Sequence, residues 1–410
     1  MMTDGSALEG LRVADFSWAI AGPVASKYLA LHGATVIKIE THKRLDGPRM
    51  APPFAGRPHR DRSGYFANHN AGKRSVTLDL SHPEGRVLAH RLVEWADVTA
   101  ENFAPGVAAR LGCDYPTLKS VNPRIVHVSA SMQGQQGPHA THPGFGLTLQ
   151  ALAGLSHFTG WPDRAPLGIG EPYTDLIAPW FQVAAVLAAL ERRDRTGEGC
   201  FIDLSQLETT LHFFAPALLD HAVNGVQEAR RGNADDVMAP HGVFPCAPDG
   251  LEPEAQPYIA IVCEDDGQWQ ALRRLMDDPE WARHPDYETV AGRLRHSAVI
   301  ESKLSQWTAD QDVAALAERL QAAGVAAGVV ATGRDLFADP QLAHRGHFVR
   351  LKHAAMGEHA YDAPGFHLSE TPAQMRPAPS IGEANEEVLG GILGLSAEEQ
   401  ARLREIGAVG

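Results

Sequence analysis

Along the first half of the chain, short apolar runs rich in β-branched residues alternate with stretches of helical spacing. Leu11–Phe16, Thr35–Glu40, Ser75–Leu80, Val98–Asn102 and Arg124–Ser129 read as strands. Pro23–Leu31 and Pro83–Trp95 read as helices between them. Strand and helix in alternation predict a parallel sheet covered on both faces, because each right-handed crossover lays a helix on the sheet. The expected fold class is α/β, a doubly wound Rossmann-like lobe whose ligands sit beyond the carboxyl ends of the strands.

A longer helix with an Ala-, Val- and Leu-rich face is expected over Pro179–Asp194, stopping at Thr196 and Gly197, and Phe201–Leu204 reads as one further strand. Between Arg230 and Gly250 the composition shifts to Gly, Pro, Asp and His, which reads as a linker or exposed loop. A smaller α+β lobe then follows, with a strand at Tyr258–Val262, helical patterns at Trp269–Met276 and Val313–Ala323, and an apolar run at Val325–Val330. Ser396–Ile406 reads as a polar helix. The division expected is a large lobe over 1–225, completed by 331–410, and a small lobe with its linkers over 226–330.

Composition narrows the candidates. A chain of 410 residues, 44% of them hydrophobic, buries a substantial core and exceeds the usual single domain. Its net charge of −14 repels phosphate backbones and anionic bilayers, so no nucleic-acid or membrane partner is expected and an anionic substrate must meet locally placed cations. No basic patch followed by an apolar run opens the chain, and no segment has the roughly 18 uninterrupted apolar residues of a spanning helix; a soluble, cytoplasmic protein is expected. Cys113, Cys200, Cys246 and Cys263 are scattered and read as reduced thiols.

GxGxxG, Walker, HExxH and GxSxG signatures are all missing, which argues against hydride and phosphoryl transfer. His139 and His142 form a closely spaced histidine pair in a loop-like stretch, a spacing that fixes no coordination geometry, and no metal is expected. The segment Gly168-Ile-Gly-Glu-Pro-Tyr-Thr-Asp175 sets Asp175 near the start of the long helix. An acid there is favoured by the macrodipole whatever else it does, so spacing alone does not distinguish a structural Asp from a nucleophile.

A series of segments, in one order along nearly the whole chain, carries more information. It begins with Leu8-Glu-Gly-Leu-Arg-Val-Ala-Asp15-Phe, Ala21-Gly-Pro23 and Gly33-Ala-Thr-Val-Ile-Lys-Ile-Glu40. It continues through Lys73-Arg-Ser-Val-Thr-Leu-Asp79, Glu101-Asn-Phe-Ala-Pro-Gly106, Asn122-Pro-Arg-Ile-Val126, Gly134-Gln-Gln-Gly-Pro138, Gln150-Ala-Leu-Ala-Gly154 and Arg195-Thr-Gly-Glu-Gly199. Asp339-Pro340 and the tail from Pro377 to Leu393 complete it. Together they resemble the class III CoA-transferases, the family of formyl-CoA transferase and carnitine CoA-transferase.

The resemblance implies that Asp175 is the catalytic nucleophile, forming an acyl anhydride and then an aspartyl-CoA thioester, so that neither ATP nor a metal is needed. It implies that coenzyme A, as acyl-CoA, contacts Ile20, Ala21, Leu78, Asn102, Phe103, Ala104, Arg110, Gln133 and Gly134, with Arg110 suited to a phosphate. The other partner is a small or medium organic acid, and the expected assembly is a homodimer of interlocked subunits. This chain departs from the family pattern in two places. Thr41 stands where several members have a basic residue, with Lys43 and Arg44 slightly later. The glycine-rich covering loop of formyl-CoA transferase has no counterpart; Met238–Phe244 occupies roughly that region and makes His241 a candidate substrate contact. Two other readings compete. Acyl-CoA racemases of the same superfamily need a base on each side of the α-carbon, and their His-Asp pair falls where this chain has Phe145 and Gly146. A CoA-binding carrier without activity is the non-enzymatic alternative.

Overall fold

The computed structural model describes residues 5–248, 250 and 256–410. The chain divides into two compact units, one built from residues up to 157, 168–228 and 340–410, the other from 158–167 and 229–339.

The first unit is organised by six parallel strands: β1 (Arg12–Asp15), β2 (Thr35–Glu40), β3 (Arg74–Thr77), β4 (Val98–Glu101), β5 (Val126–Ser131) and β6 (Cys200–Ser205). Their order is β3-β2-β1-β4-β5-β6. Neighbouring residues of one strand serve opposite cores. Val13, Val36 and Val98 pack with Leu29 and Leu190 on one face, while Ala14 and Ile37 pack with Leu88, Leu92 and Val388 on the other. Helices Ala21–Leu31 and Tyr173–Thr196 cover the first face, and helix Pro83–Trp95 with the C-terminal segment covers the second. The strand order reverses between β1 and β4, so the crevice beyond their carboxyl ends is the topological switch point where ligands of such sheets bind.

The long helix begins earlier than its pattern suggests, at Tyr173 rather than Pro179. Proline suits a first helical turn, yet here it lies inside. Having no N–H, Pro179 leaves the carbonyl of Asp175 without its intrahelical donor, so the helix is loosened where Asp175 stands. The stop at Gly197, with φ +78°, is as expected. By length and composition this helix suffices to cross a bilayer, but its buried face, including Ile177, Gln182 and Val186, packs inside the unit.

In the second unit, β7 (His241–Pro245), β8 (Tyr258–Val262) and β9 (Ala326–Val329) form an antiparallel sheet. Helices Asp266–Leu275, Ser297–Thr308 and Val313–Ala322 pack on it around the fully buried Trp269. The stretch read as a linker therefore contains a strand. Residues Phe348–His353 (β10) and Gly357–Asp362 (β11) make a hairpin in the first unit that the pattern did not announce, its Tyr361 packed with Leu31 and Phe66.

Candidate active site

The loops leaving β1 and β4 are fastened to one another across the switch point. The amide of Asn102 both accepts from the Trp18 backbone N–H at 2.8 Å and donates to the Trp18 carbonyl at 2.6 Å. Phe103 meets Trp18 edge-on with ring centroids 6.4 Å apart, and Arg44 lies 5.1 Å over the Trp18 ring. Gly22 lets the β1 loop turn into the following helix, because a Cβ there would lie 2.3 Å from the Cβ of Ser17. The loop after β5 joins this group: the side chain of Gln135 donates to Ser129 Oγ at 2.6 Å and to the Phe103 carbonyl at 3.4 Å.

Topology thus brings Ile20, Ala21, Asn102, Phe103, Ala104, Gln133 and Gly134 to neighbouring strand ends. Ile20 and Ala21 are buried and offer backbone rather than side chain, at the N-terminus of the helix Ala21–Leu31. Gln133 spends its amide on the His139 carbonyl at 3.2 Å. Arg110 is exposed, in the last turn of the short helix Val107–Leu111. Leu78 stands apart. It lies beyond β3, two strands away from β1, with a side chain 1% exposed in the core, so only its backbone can meet a ligand. Lys43 is paired with Asp79. His241, in the second unit, has Nδ1 within 2.5 Å of the Asn233 carbonyl.

Beneath these loops lies a layer of buried charge that pattern reading missed. Asp15, at the end of β1, receives Lys73 Nζ at 2.9 Å and Ser26 Oγ at 2.6 Å, and Ser17 through both its hydroxyl and its N–H. Burial alone would raise this carboxyl, but the charges of Lys73 and Lys38 and the serine hydroxyls outweigh it and hold it at about 2. Burial in turn pulls Lys73 down to about 8. The signal available in the sequence was Lys38, a cation in the middle of the apolar run Val-Ile-Lys-Ile, which a doubly covered strand can carry only if paired.

Asp175 is treated in the opposite way. It occupies the first turn of the helix Tyr173–Thr196, where the macrodipole favours an anion. Its carboxylate accepts no hydrogen bond among the described residues, and burial pushes it up to about 6. Gly146 presents bare backbone to it: a Cβ on Gly146 would lie 3.1 Å from Asp175 Oδ2 and 2.5 Å from the Cβ of Pro172. Gln150, on the helix Gly146–Leu152, donates to the Glu171 carbonyl and so fixes the chain just before Pro172. Tyr65, another residue that pattern reading passed over, lies in the field of Glu171 and Asp175; burial first and these charges second raise its phenol. A cavity of about 440 Å³ opens along the same helix at Tyr173, Leu176, Ile177 and Trp180, with the Lys27–Asp362 ion pair in its wall, but Asp175 does not line it.

No group of three or more His, Cys, Asp or Glu side chains among the described residues is arranged to hold a metal, and the rings of His139 and His142 lie 4.6 Å apart by themselves. A crevice at a switch point, together with a carboxylate that accepts no hydrogen bond among the described residues and has a raised affinity for protons, marks a candidate site for covalent chemistry on a bound ligand.

Residues 8–385 match the model of CoA-transferase family III, and the chain belongs to that family of enzymes. It is similar to the succinate–glutarate CoA-transferase of Agrobacterium fabrum, 32% identical over 93% of this chain and 94% of that one. It is also similar to the succinyl-CoA–D-citramalate CoA-transferase of Chloroflexus aurantiacus, 30% identical over 97% of this chain and 96% of that one. Among solved structures, a CAIB/BAIF family protein from Brucella suis superposes with a TM-score of 0.86 at 31% identity, covering 95% of this chain and 100% of the other.

Proposed function

We propose that this CoA-transferase moves coenzyme A from an acyl-CoA donor to a small or medium carboxylic acid, with Asp175 as covalent nucleophile. The observation that carries the reading is the state of that side chain. A carboxylate with no hydrogen-bond donor among the described residues, half-buried and raised to about 6, is ionised at neutral pH yet poorly solvated, so its oxygen is available for attack. Attack on the thioester carbonyl breaks the C–S bond, releases CoA thiolate and leaves an aspartyl–acyl anhydride. The thiolate then attacks the Asp175 carbonyl carbon, expelling the donor acid and forming an aspartyl-CoA thioester. The acceptor carboxylate attacks that thioester to give a second anhydride, and the returning thiolate takes the new acyl group and frees Asp175. Acyl activation is conserved throughout.

The loops at Ile20–Ala21, Asn102–Ala104 and Gln133–Gly134 are proposed to hold CoA, with Arg110 on a phosphate and Leu78 contributing backbone. The acids in the relatives' names differ, which supports a class of substrate rather than one acid. The residues up to 225 with 331–410 are proposed as the CoA-binding lobe and 226–330 as the smaller one. An interlocked homodimer is supported by the apolar side chains that the first unit leaves in water, among them Phe145 at 86%, Val223 at 77% and Leu147 at 67% exposed. A cytoplasmic setting fits the supply of acyl-CoA.

A racemase would need a base where Phe145 and Gly146 stand, and neither residue supplies one. The test is transfer between unlike acids with the enzyme in deuterated water. Transfer without α-deuteration is expected; α-deuteration without transfer would replace this reading with the racemase one.

A further inference from the structure

The loop Ser17–Ala19 is gripped at every residue by side chains from other elements. The Ser17 carbonyl accepts from Lys38 Nζ at 2.7 Å, Trp18 is held on both sides by Asn102, and the Ala19 N–H donates to Asp46 Oδ1 at 2.9 Å. Ala19 has φ +59°, a left-handed conformation that is disfavoured for a residue with a Cβ and that persists where its surroundings impose it. The imposing groups are buried. Lys38 Nζ and Asp46 Oδ2 are 3.0 Å apart, with side chains 0% and 2% exposed. Asp46 is itself anchored, since it precedes a tight turn, Gly47–Met50, whose Arg49 forks onto Glu40 with two contacts of 2.7 Å and reaches Asp61 at 2.8 Å.

An ion pair so deep yields little net stability once desolvation is counted, so its presence calls for another explanation. What it does geometrically is determine the path of three residues at the switch point. We infer that Lys38 and Asp46 are positioning residues for coenzyme A: they lock Ala19 in its left-handed conformation and thereby preset the backbone rim of the β1–β4 crevice. This rests on the reading of that loop as CoA-binding. Ile20 and Ala21, which follow this loop, offer backbone rather than side chain, and any ordering of that backbone left to the moment of binding would be subtracted from affinity. Both side chains are buried beneath the rim, so the role assigned to them is positioning.

The experiment is calorimetric titration of free CoA into the full-length protein and its variants, with acyl-CoA kinetics alongside. Asp46→Asn is isosteric and can still accept from Ala19, but removes the charge opposite Lys38. Its dissociation constant for CoA is expected to rise about tenfold, a step of about 1.4 kcal/mol. KM for acyl-CoA should rise in parallel, kcat fall less than about threefold, and KM for the acceptor acid stay fixed. Ala19→Gly reaches the left-handed conformation without penalty. Placed on Asp46→Asn, it should recover at least about threefold of the lost affinity, a non-additivity that a general loss of stability does not produce. Ala19→Val, at an exposed position, tests the same point if Asp46→Asn folds poorly: a β-branched residue resists positive φ, and CoA binding should weaken about tenfold. Unchanged CoA affinity in Asp46→Asn and Ala19→Val, or strictly additive effects, would overturn the inference and leave the CoA reading intact. A wild-type protein that binds neither CoA nor acyl-CoA would overturn the CoA reading and the inference with it.

Discussion

Asp15 and Asp175 are both carboxylates withdrawn from water in the same unit, and the protein treats them oppositely. Asp15 is surrounded by an ammonium and two serine hydroxyls and held at about 2; Asp175 has a proline, a glycine and a loosened helix turn about it and rises to about 6. Compensation holds the first carboxyl firmly ionised, whereas burial without it raises the second's affinity for protons. The difference shows why a carboxylate's role is better read from its partners than from its burial.

Removing Asp175, the proposed nucleophile, should have the largest effect. Asp175→Asn is expected to lower transfer by at least about a thousandfold with the circular dichroism spectrum unchanged, while residual CoA binding persists in calorimetry. Breaking the compensated member acts on stability instead. Lys73→Met leaves Asp15 short of its cation and should cost about 3–5 kcal/mol in urea unfolding, since the remaining charge is buried and poorly paired.

Acidity separates the two further. If Asp175 is the nucleophile proposed above, the rate of adduct formation should fall about tenfold per pH unit below about 6 and level off above it, since only its ionised form can attack. Asp15, depressed from an ordinary 3.8, contributes stability in full above about 4 and loses it as pH falls towards 2, so it adds no limb to the activity profile. A pH–rate profile from 4.5 to 8 checks the first statement, and urea unfolding from pH 5 down to pH 2 checks the second. The smallest change is Gly146→Ala. Its methyl would meet Pro172 and Asp175 and displace the helix start, and we expect about tenfold slower transfer and about 1–3 kcal/mol lost on unfolding.

Much of the sheet was legible because strands covered on both faces are apolar throughout. β2 and β8 fall where the pattern sets them, and β1, β4 and β5 within two residues. The rest failed for identifiable reasons. Pro179 reads as a helix start because proline is favoured there, yet the helix runs through it. β7 is flanked by Pro240 and ends on Pro245, so turn signals masked it. β10 and β11 interleave Arg, Lys, Glu and His with their apolar residues, and such a hairpin carries little periodic signal. Motif order offered Asp175 and the strand-end loops as candidates, but gave no sign of the charged layer beneath the loops. Lys38, Asp46, Asp15 and Lys73 meet through the parallel sheet across wide separations, and no spacing rule connects them. Tyr65 likewise comes near Asp175 only in three dimensions.

The central claim is that Asp175 becomes covalently attached during transfer. Intact-mass spectrometry of the protein after incubation with a panel of acyl-CoAs, trapping by hydroxylamine or borohydride, and peptide mapping tests it directly. A mass change confined to the peptide carrying Asp175, present with productive donors and lost in Asp175→Asn, is the predicted result. Full transfer activity with no adduct on that peptide under any donor would contradict it.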